Sequence, residues 1–396
     1  MEEKTGKIQR RTQSSSARSL HDNDSSQSDH IPVDLTTEIL SRLPGKSVGR
    51  FRSVSKLWST ITTSQDFINS FPTRSLASRP SVLLAFYIGN ILFVFSSRLH
   101  KNSPFTCVGS YQHTKPNYGC YRRFDYLRGL ILLQGTKQLV IWNPTVNRFL
   151  TLPEPEGTKD NNSNYLGGIL GYDQIDGKYI VLRVLRDSKI CILTLGAQGK
   201  TSCRLITNGV PRHRSIIRFG ECINGLMYYG ATVDVGDGLL EHNIMCLDVR
   251  TEKFNQIKFP KGRSSVNYRM VTYEGRLALV ETFNFPSIDI WTLTNGDRHE
   301  WTHNRFVLPL SEMDLIRRKK QNFCGVSNAG ELVFAPWVLS ESFYILYFDP
   351  RRNSIREVSF EGIVGDELRS CYGFSKDYMD TIKVYPNHIE SLMSYF

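Results

Sequence analysis

The chain has 396 residues, 40% of them hydrophobic, which is room for one large globular domain plus a small one. No run approaches the roughly 20 apolar residues of a membrane span, and the charged opening MEEKTGKIQRR leads into no apolar stretch, so neither a spanning helix nor a secretory signal is expected. The net charge of +11 invites nucleic acid, but the basic residues are spread along the chain, which fits an acidic protein partner as well and makes nucleic acid an unexpected one.

Residues 1–29 are rich in Ser, Gln, Asp and basic side chains and are expected to be a disordered tail. Ile31 to Ile61 then shows helical periodicity. Leu35, Ile39 and Leu43 recur every four residues, with Glu38 and Arg42 spaced as an ion pair. Asp34 is the expected cap, with Pro32 just outside, and Pro44-Gly45 ends the helix. Ser47 opens a second short helix carrying Val48 and Phe51, where Gly49 costs up to about 1 kcal/mol against alanine. A third helix, from about Ser53 through Ile61, carries Val54, Leu57, Trp58 and Ile61. Three such helices cannot bury a core of their own, so one side must pack on the rest of the chain or on a partner. Residues 62–80 read as a link in which Phe67, Ile68 and Phe71 dock the helical unit and RSLASRP forms surface turns.

From about residue 81 short β-rich runs alternate with Gly, Asn, Asp and Pro turn signals, as in SVLLAFYI, NILFVFSS, QLVIWNP and FYILYFDP. Many short antiparallel strands leave edges that radial repetition can close. A degenerate repeat supports this: anchor glycines at 129, 171, 225, 275 and 330 stand 42, 54, 50 and 55 residues apart. In each unit the glycine opens a tight turn and a later strand ends in Asn143-Pro144, Asp248-Val249 or Asp349-Pro350, whose short polar side chain can bond back to the turn backbone. The reading is a small all-α unit followed by a large all-β domain, a six- or seven-bladed β-propeller of degenerate repeats. Strands over 82–100 supply one blade, and residues 372–389 help to complete the ring.

The helical segment resembles the F-box, in the form found in plant F-box proteins with an associated C-terminal domain. The resemblance rests on Pro32, Leu35, Glu38-Ile39-Leu40, Arg42-Leu43-Pro44, Lys46-Ser47, Arg50-Phe51-Arg52, Val54, Lys56 and Trp58, with Ile31 and Gly49 as departures. Later phrases resemble the associated domain: Trp142-Asn143-Pro144 with Leu152-Pro153, Gly171-Tyr172-Asp173 with Tyr179 to Leu182, and Asn224-Gly225-Leu226 through Tyr229. The domains expected are thus an F-box over 30–70, a linker over 71–80 and an F-box-associated domain over 81–390. The resemblance implies a substrate receptor of an SCF-type ubiquitin ligase, without catalysis or cofactor of its own. A Skp1-like adaptor, and through it a cullin, would meet Pro32, Leu35, Ile39, Leu43, Pro44, Val48, Val54 and Trp58. Some of these must instead form the unit's own small core. A propeller interaction protein with a vestigial F-box is the alternative.

Catalytic signatures are few. His299-Glu300-Trp301-Thr302-His303 satisfies HExxH, whose zinc chemistry needs both histidines on one helix. In a strand they would lie about 13 Å apart, too far for one ion, and the neighbouring turn and strand signals point to a blade hairpin. Asp173 and Asp176 read as flanking a turn. The eight cysteines form no CxxC pair, which suits reduced thiols acting as small hydrophobes in a cytoplasmic or nuclear protein and excludes a structural zinc on spacing. Target recognition is expected on the longer polar connections 154–168, 207–218, 231–243 and 311–322, with Arg212, His213, Arg214, Arg317 and Arg318 as cations for an acidic or phosphorylated target.

Overall fold

A computed structural model describes residues 31–78, 81–88, 91–98, 106–112, 123–134, 139–153, 165–185, 189–196, 201–206, 209–218, 220–260, 268–295, 299–311, 321–338, 342–361, 370 and 382–393. Helices α1 (Val33–Ser41), α2 (Gly45–Phe51), α3 (Lys56–Thr63) and α4 (Gln65–Ser78) precede, among the described residues, twenty-five strands arranged in six small antiparallel sheets. The expected link is therefore mostly a fourth helix. It crosses residue 70 without a break and covers the start of RSLASRP, even though Pro72 removes a donor from its interior.

Each sheet is a blade. Blade 1 holds Ser81–Ile88, Ile91–Arg98 and Thr106–Gln112, and blades 2 to 6 span 123–151, 165–206, 213–258, 268–307 and 321–361. Only three strands of blade 1 are contiguous in sequence. Its innermost strand is Lys383–His388, which pairs antiparallel with Ser81–Ile88 and closes the ring. The C-terminal residues thus complete the first blade and add no seventh.

The second strand of each blade, counted outward from the axis, buries both faces, which explains its unbroken apolar run. In Ser81–Ile88 alternate residues serve two cores: Val82, Leu84 and Phe86 pack against blade 6, while Leu83, Ala85 and Tyr87 pack against blade 2. Six such clusters, one between each neighbouring pair of blades, run round the ring. Tight turns join the two inner strands. Arg128-Gly129 (φ +46° and +87°), Asn224-Gly225 (+50°, +81°) and Glu274-Gly275 (+50°, +75°) are two-residue turns of the type I′ hairpin, where glycine relieves the second left-handed position. Gly171 departs from the expectation. It lies inside the strand Tyr165–Asp173, and the turn of blade 3 falls at residues 174–177, with Gly177 at φ +64°. With 177 as the anchor the repeat intervals become 48, 48, 50 and 55 residues.

The expected bond from each short polar side chain to its turn is present. Asn143 Oδ1 accepts from Thr145 N at 3.0 Å, and Asp248 and Asp349 accept from Arg250 N and Arg351 N at 2.9 Å. Asp173 does the same for Ile175 N at 2.9 Å and also holds the Arg250 guanidinium at 3.0 Å, tying blade 3 to blade 4. One cysteine expectation fails: Cys191 and Cys203, on adjacent strands of blade 3, are joined as a disulfide.

Strand direction sorts the loops onto two faces. Turns between strands one and two, and three and four, counted outward from the axis, lie on one face, called proximal here. Turns between strands two and three, and all blade-to-blade connections, lie on the other, distal face. Connections 154–168, 207–218 and 311–322 join blade to blade, and 231–243 holds the second turn of blade 4, so the described ends of all four are distal.

Candidate partner-binding surfaces

The helical unit sits on the proximal face near blades 2 and 3. Leu40, Val48, Ile61, Phe67 and Phe71 form its core together with Leu392 from the C-terminal segment, with Leu43, Phe51, Trp58 and blade 2's Val146 packed around it. Polar contacts lock the same seam. Gly45 N donates to Glu390 Oε2 at 2.9 Å, and Asn143 Nδ2 donates to the carbonyls of Ser391 and Met393 at 2.9 and 2.8 Å. A Cβ added at Gly45 would lie 2.5 Å from Thr145 Cγ2, so glycine lets α2 approach the blade 2 turn this closely.

Helix α1 starts earlier than its expected cap. Pro32 precedes Val33, Thr36 N donates to Pro32 O at 2.9 Å, and Asp34 stands inside the first turn, where its charge favours the positive helix end. Helix α2 likewise starts at Gly45 instead of Ser47, and Ser55 caps α3 by accepting from Trp58 N at 3.1 Å. On α1 the inward positions are Thr36 and Leu40, one residue on from Leu35 and Ile39, which turns the expected face outward by about 100°. Glu38 binds Arg42 at 2.8 Å and lies 3.6 Å from Arg74 of α4.

The residues expected at an adaptor contact therefore divide. Pro32, Leu35, Ile39, Pro44 and Val54 are exposed, with Leu35 at 53%, Ile39 at 49% and Val54 at 60%. Leu43 and Trp58 are half-buried, Trp58 edge-on to Phe51 with ring centres 5.3 Å apart. Val48 is wholly inside the unit's core and presents nothing to a partner. Ile31, Val33 and Leu57 are exposed as well and extend the outward apolar surface. Ile31 and Leu57 had a place in the helical pattern but no signal to separate outside from inside.

Comparison with known proteins agrees with this geometry. Residues 28–70 match the F-box domain, and residues 81–389 match the F-box associated beta propeller domain. The chain belongs to the F-box proteins with an F-box-associated β-propeller. From Arabidopsis thaliana, F-box protein At5g18160 is 42% identical across the full length of both chains. Putative F-box protein At4g09190 is 42% identical over 97% of this chain and 99% of its own, and F-box protein At1g30790 is 33% identical over 92% and 98%.

A cavity of about 790 Å³ runs along the propeller axis between the innermost strands, lined by Asp125, Glu221, Arg269, Lys383 and Tyr385 among others. Lys383 Nζ donates to Phe124 O at 2.8 Å and Arg269 Nη1 to Phe323 O at 2.9 Å. Burial, reinforced by the negative charge of Asp125, raises the Glu221 carboxyl to about 7, against a lowering pull from Arg269.

The HExxH segment does not form the helix its zinc chemistry requires. Glu300–Val307 is the outermost strand of blade 5, and His299 sits in the turn before it. His303 Nε2 lies 2.6 Å from Asp289 Oδ1 and its ring stacks on Trp291 at 4.1 Å, while Arg305 grips both Asp289 oxygens at 2.9 Å. The guanidinium of Arg305 comes first among the groups that hold the Asp289 carboxyl below the usual carboxylate range. Replacing Asp289 by alanine is expected to cost about 1–3 kcal/mol by freeing Arg305 and His303 together, read as a lowered urea midpoint. An unchanged midpoint would show that the cluster adds nothing to blade 5.

Of the expected target contacts, Arg212 is exposed and described. His213 and Arg214 begin the strand His213–Arg218, but their side chains lie outside the described residues, as do Arg317 and Arg318 entirely. No helix among the described residues is long and apolar enough to cross a membrane.

Proposed function

We propose that this protein is the substrate receptor of an SCF-type ubiquitin ligase. In this reading the outward strip of the F-box holds a Skp1-like adaptor, and through it a cullin, while the propeller holds the target. The observation that carries it is the unpartnered strip itself. Leu35, Ile39 and Val54 stay exposed although the same helices bury Leu40, Val48 and Ile61 against the propeller. Apolar side chains left exposed outside a finished core mark a partner site. The protein then does no covalent chemistry. It raises the effective concentration of a target lysine near a charged ubiquitin-conjugating enzyme, and a seam locked by Glu390, Ser391 and Met393 keeps that spacing constant.

Co-expression with a Skp1-like adaptor and size-exclusion chromatography tests the reading. Leu35→Ala and Ile39→Ala are expected to weaken the 1:1 complex by at least about tenfold each without lowering the melting temperature. Val48→Ala should show the reverse emphasis, a lower melting temperature from a loss of about 1–3 kcal/mol in the core. Folded wild-type protein that forms no complex would leave a propeller binding module with a vestigial F-box.

A further inference from the structure

A second cavity, of about 370 Å³, opens on the proximal face between blades 4 and 5, at the end of the core those two blades share. Its floor is apolar: Ile257, Leu277 and Leu293 belong to that core and Leu226 packs against it. Tyr228 and Cys246 line it as well, and burial, reinforced by the Cys246 thiol, raises the Tyr228 hydroxyl well above the usual phenol range, so it stays neutral. The mouth is polar. Asn224 stands in the turn before Leu226–Gly236, Asn255 on the outermost strand of blade 4, Arg276 at the head of Arg276–Glu281 and Thr294 near the end of Ser287–Asn295. Both walls are held in place: Val249 N donates to Gly225 O at 3.1 Å, Tyr228 N to Glu221 O at 2.8 Å and Thr294 Oγ1 to Glu300 O at 3.0 Å. A cavity fixed in this way costs little ordering when a ligand enters.

Arg276 is the one charged side chain among the described residues that line this cavity. It is exposed, and no described carboxylate lies within ion-pair distance of it. The acids of the neighbouring turns are engaged elsewhere. Glu274 accepts from Arg351 at 2.8 Å, Asp248 accepts from Arg250 N and Thr251 N at 2.9 and 3.2 Å, and Glu252 pairs with Arg204. None of these, nor Glu300 beyond the next turn, lines the cavity. An apolar floor thus meets a single cation flanked by two amides.

We infer that this cavity binds a small organic carboxylate whose apolar body has the size of one or two rings. The body lies on Leu226, Ile257, Leu277 and Leu293, and the carboxylate meets the Arg276 guanidinium, with Asn224 and Asn255 beside it. Volume sets the size: an apolar cavity of about 150 Å³ holds a benzene, and small-molecule sites start at about 300 Å³. The planar guanidinium sets the head group, because its fork matches the two oxygens of a carboxylate. An ammonium would meet like charge, and an acid without a body would leave the floor in water. The inference does not depend on the receptor reading.

Saturation-transfer NMR on the full chain tests it with four probes: 3-phenylpropionate, the alcohol and the amine of the same body, and acetate. 3-Phenylpropionate is expected to bind at about 1 mM or tighter, the alcohol about tenfold more weakly, and the amine and acetate not at all. Arg276→Gln should remove the preference for the acid over the alcohol. Asn255→Trp, at an exposed position of the mouth, should exclude both while leaving the melting temperature unchanged. Equal binding of acid, alcohol and amine, acid binding that survives both substitutions, or no acid binding at about 10 mM would overturn the inference. So would N-acetyl-Gly-Phe binding about tenfold tighter than the free acid, which would assign the cavity to the chain terminus of a protein partner. Leu35→Ala keeps the two readings apart: it should abolish the adaptor complex and leave 3-phenylpropionate binding unchanged.

Discussion

Deleting residues 389–396 is expected to abolish adaptor binding, although every outward residue of the F-box is retained. The helical unit is too small to bury its own apolar surface, and the C-terminal segment supplies the missing part. Leu392 is wholly buried between Leu40, Val48, Ile61, Phe67 and Phe71, and loss of a side chain in such a place costs about 2–5 kcal/mol. The truncation also removes the Glu390 carboxylate from Gly45 N and the two carbonyls that Asn143 holds. The ring-closing strand Lys383–His388 remains, so the propeller should stay folded. Hydrogen exchange would then show loss of protection in α1 to α3 with blades 3 to 6 unchanged, and the adaptor affinity should fall by more than about a hundredfold. Leu392→Ala should give a milder version of the same pattern. A truncated chain that keeps both its protected helices and its adaptor would show that the F-box stands alone on this scaffold.

This dependence was hidden from the sequence for a physical reason. Periodicity in Ile31 to Ile61 reveals helices and a surplus of apolar surface, but Leu35, Ile39 and Leu40 look alike until the position of the propeller and of Leu392 decides which turns inward. The partner for that surplus is more than 300 residues away in the chain, and a contact of such separation leaves no local pattern. The blades were far more legible. The second strand of each blade is apolar on both faces, and the turns demand X-Gly or a short polar residue, so Gly129, Gly225, Gly275, Asn143, Asp248 and Asp349 could each be placed by local chemistry. Gly171 misled because a glycine within a strand reads like a turn. A Cβ there would lie 3.0 Å from Met227 Cε, so packing between blades 3 and 4 accounts for it better than a turn does. HExxH misled no further than its spelling, since the Asn-Gly turn before it already argued for a hairpin.

Stability should be nearly flat between about pH 6.5 and 4.5, and two single substitutions should tilt it in opposite directions. His388 ends the ring-closing strand, 2% exposed, with Nδ1 at 2.9 Å from the Tyr126 hydroxyl and no hydrogen-bond partner for Nε2 among the described residues. Burial lowers its pKa from 6.5 to about 3. The unfolded chain therefore takes up this proton near pH 6.5 and the folded one only near 3. The stability it contributes is full above about 6.5 and is lost as pH falls toward 3, at about 1.4 kcal/mol for each unit of that window. Glu221 works the other way. Its carboxyl is raised from 4.5 to about 7, so the folded chain keeps a proton that the unfolded chain releases, and the stability present below 4.5 is lost as pH rises through 7. Over their shared window the two slopes oppose each other. His388→Gln, whose amide can still meet the Tyr126 hydroxyl, should leave the Glu221 slope alone, so that its urea midpoint rises as pH falls from 7 to 4.5. Glu221→Gln should leave the His388 slope, so that its midpoint falls over the same range and exceeds the wild-type midpoint at pH 7 and above. Urea midpoints at several pH values between 7.5 and 4.5 distinguish these outcomes. Three parallel curves would mean that neither the closing strand nor the axial channel holds its titratable group out of water.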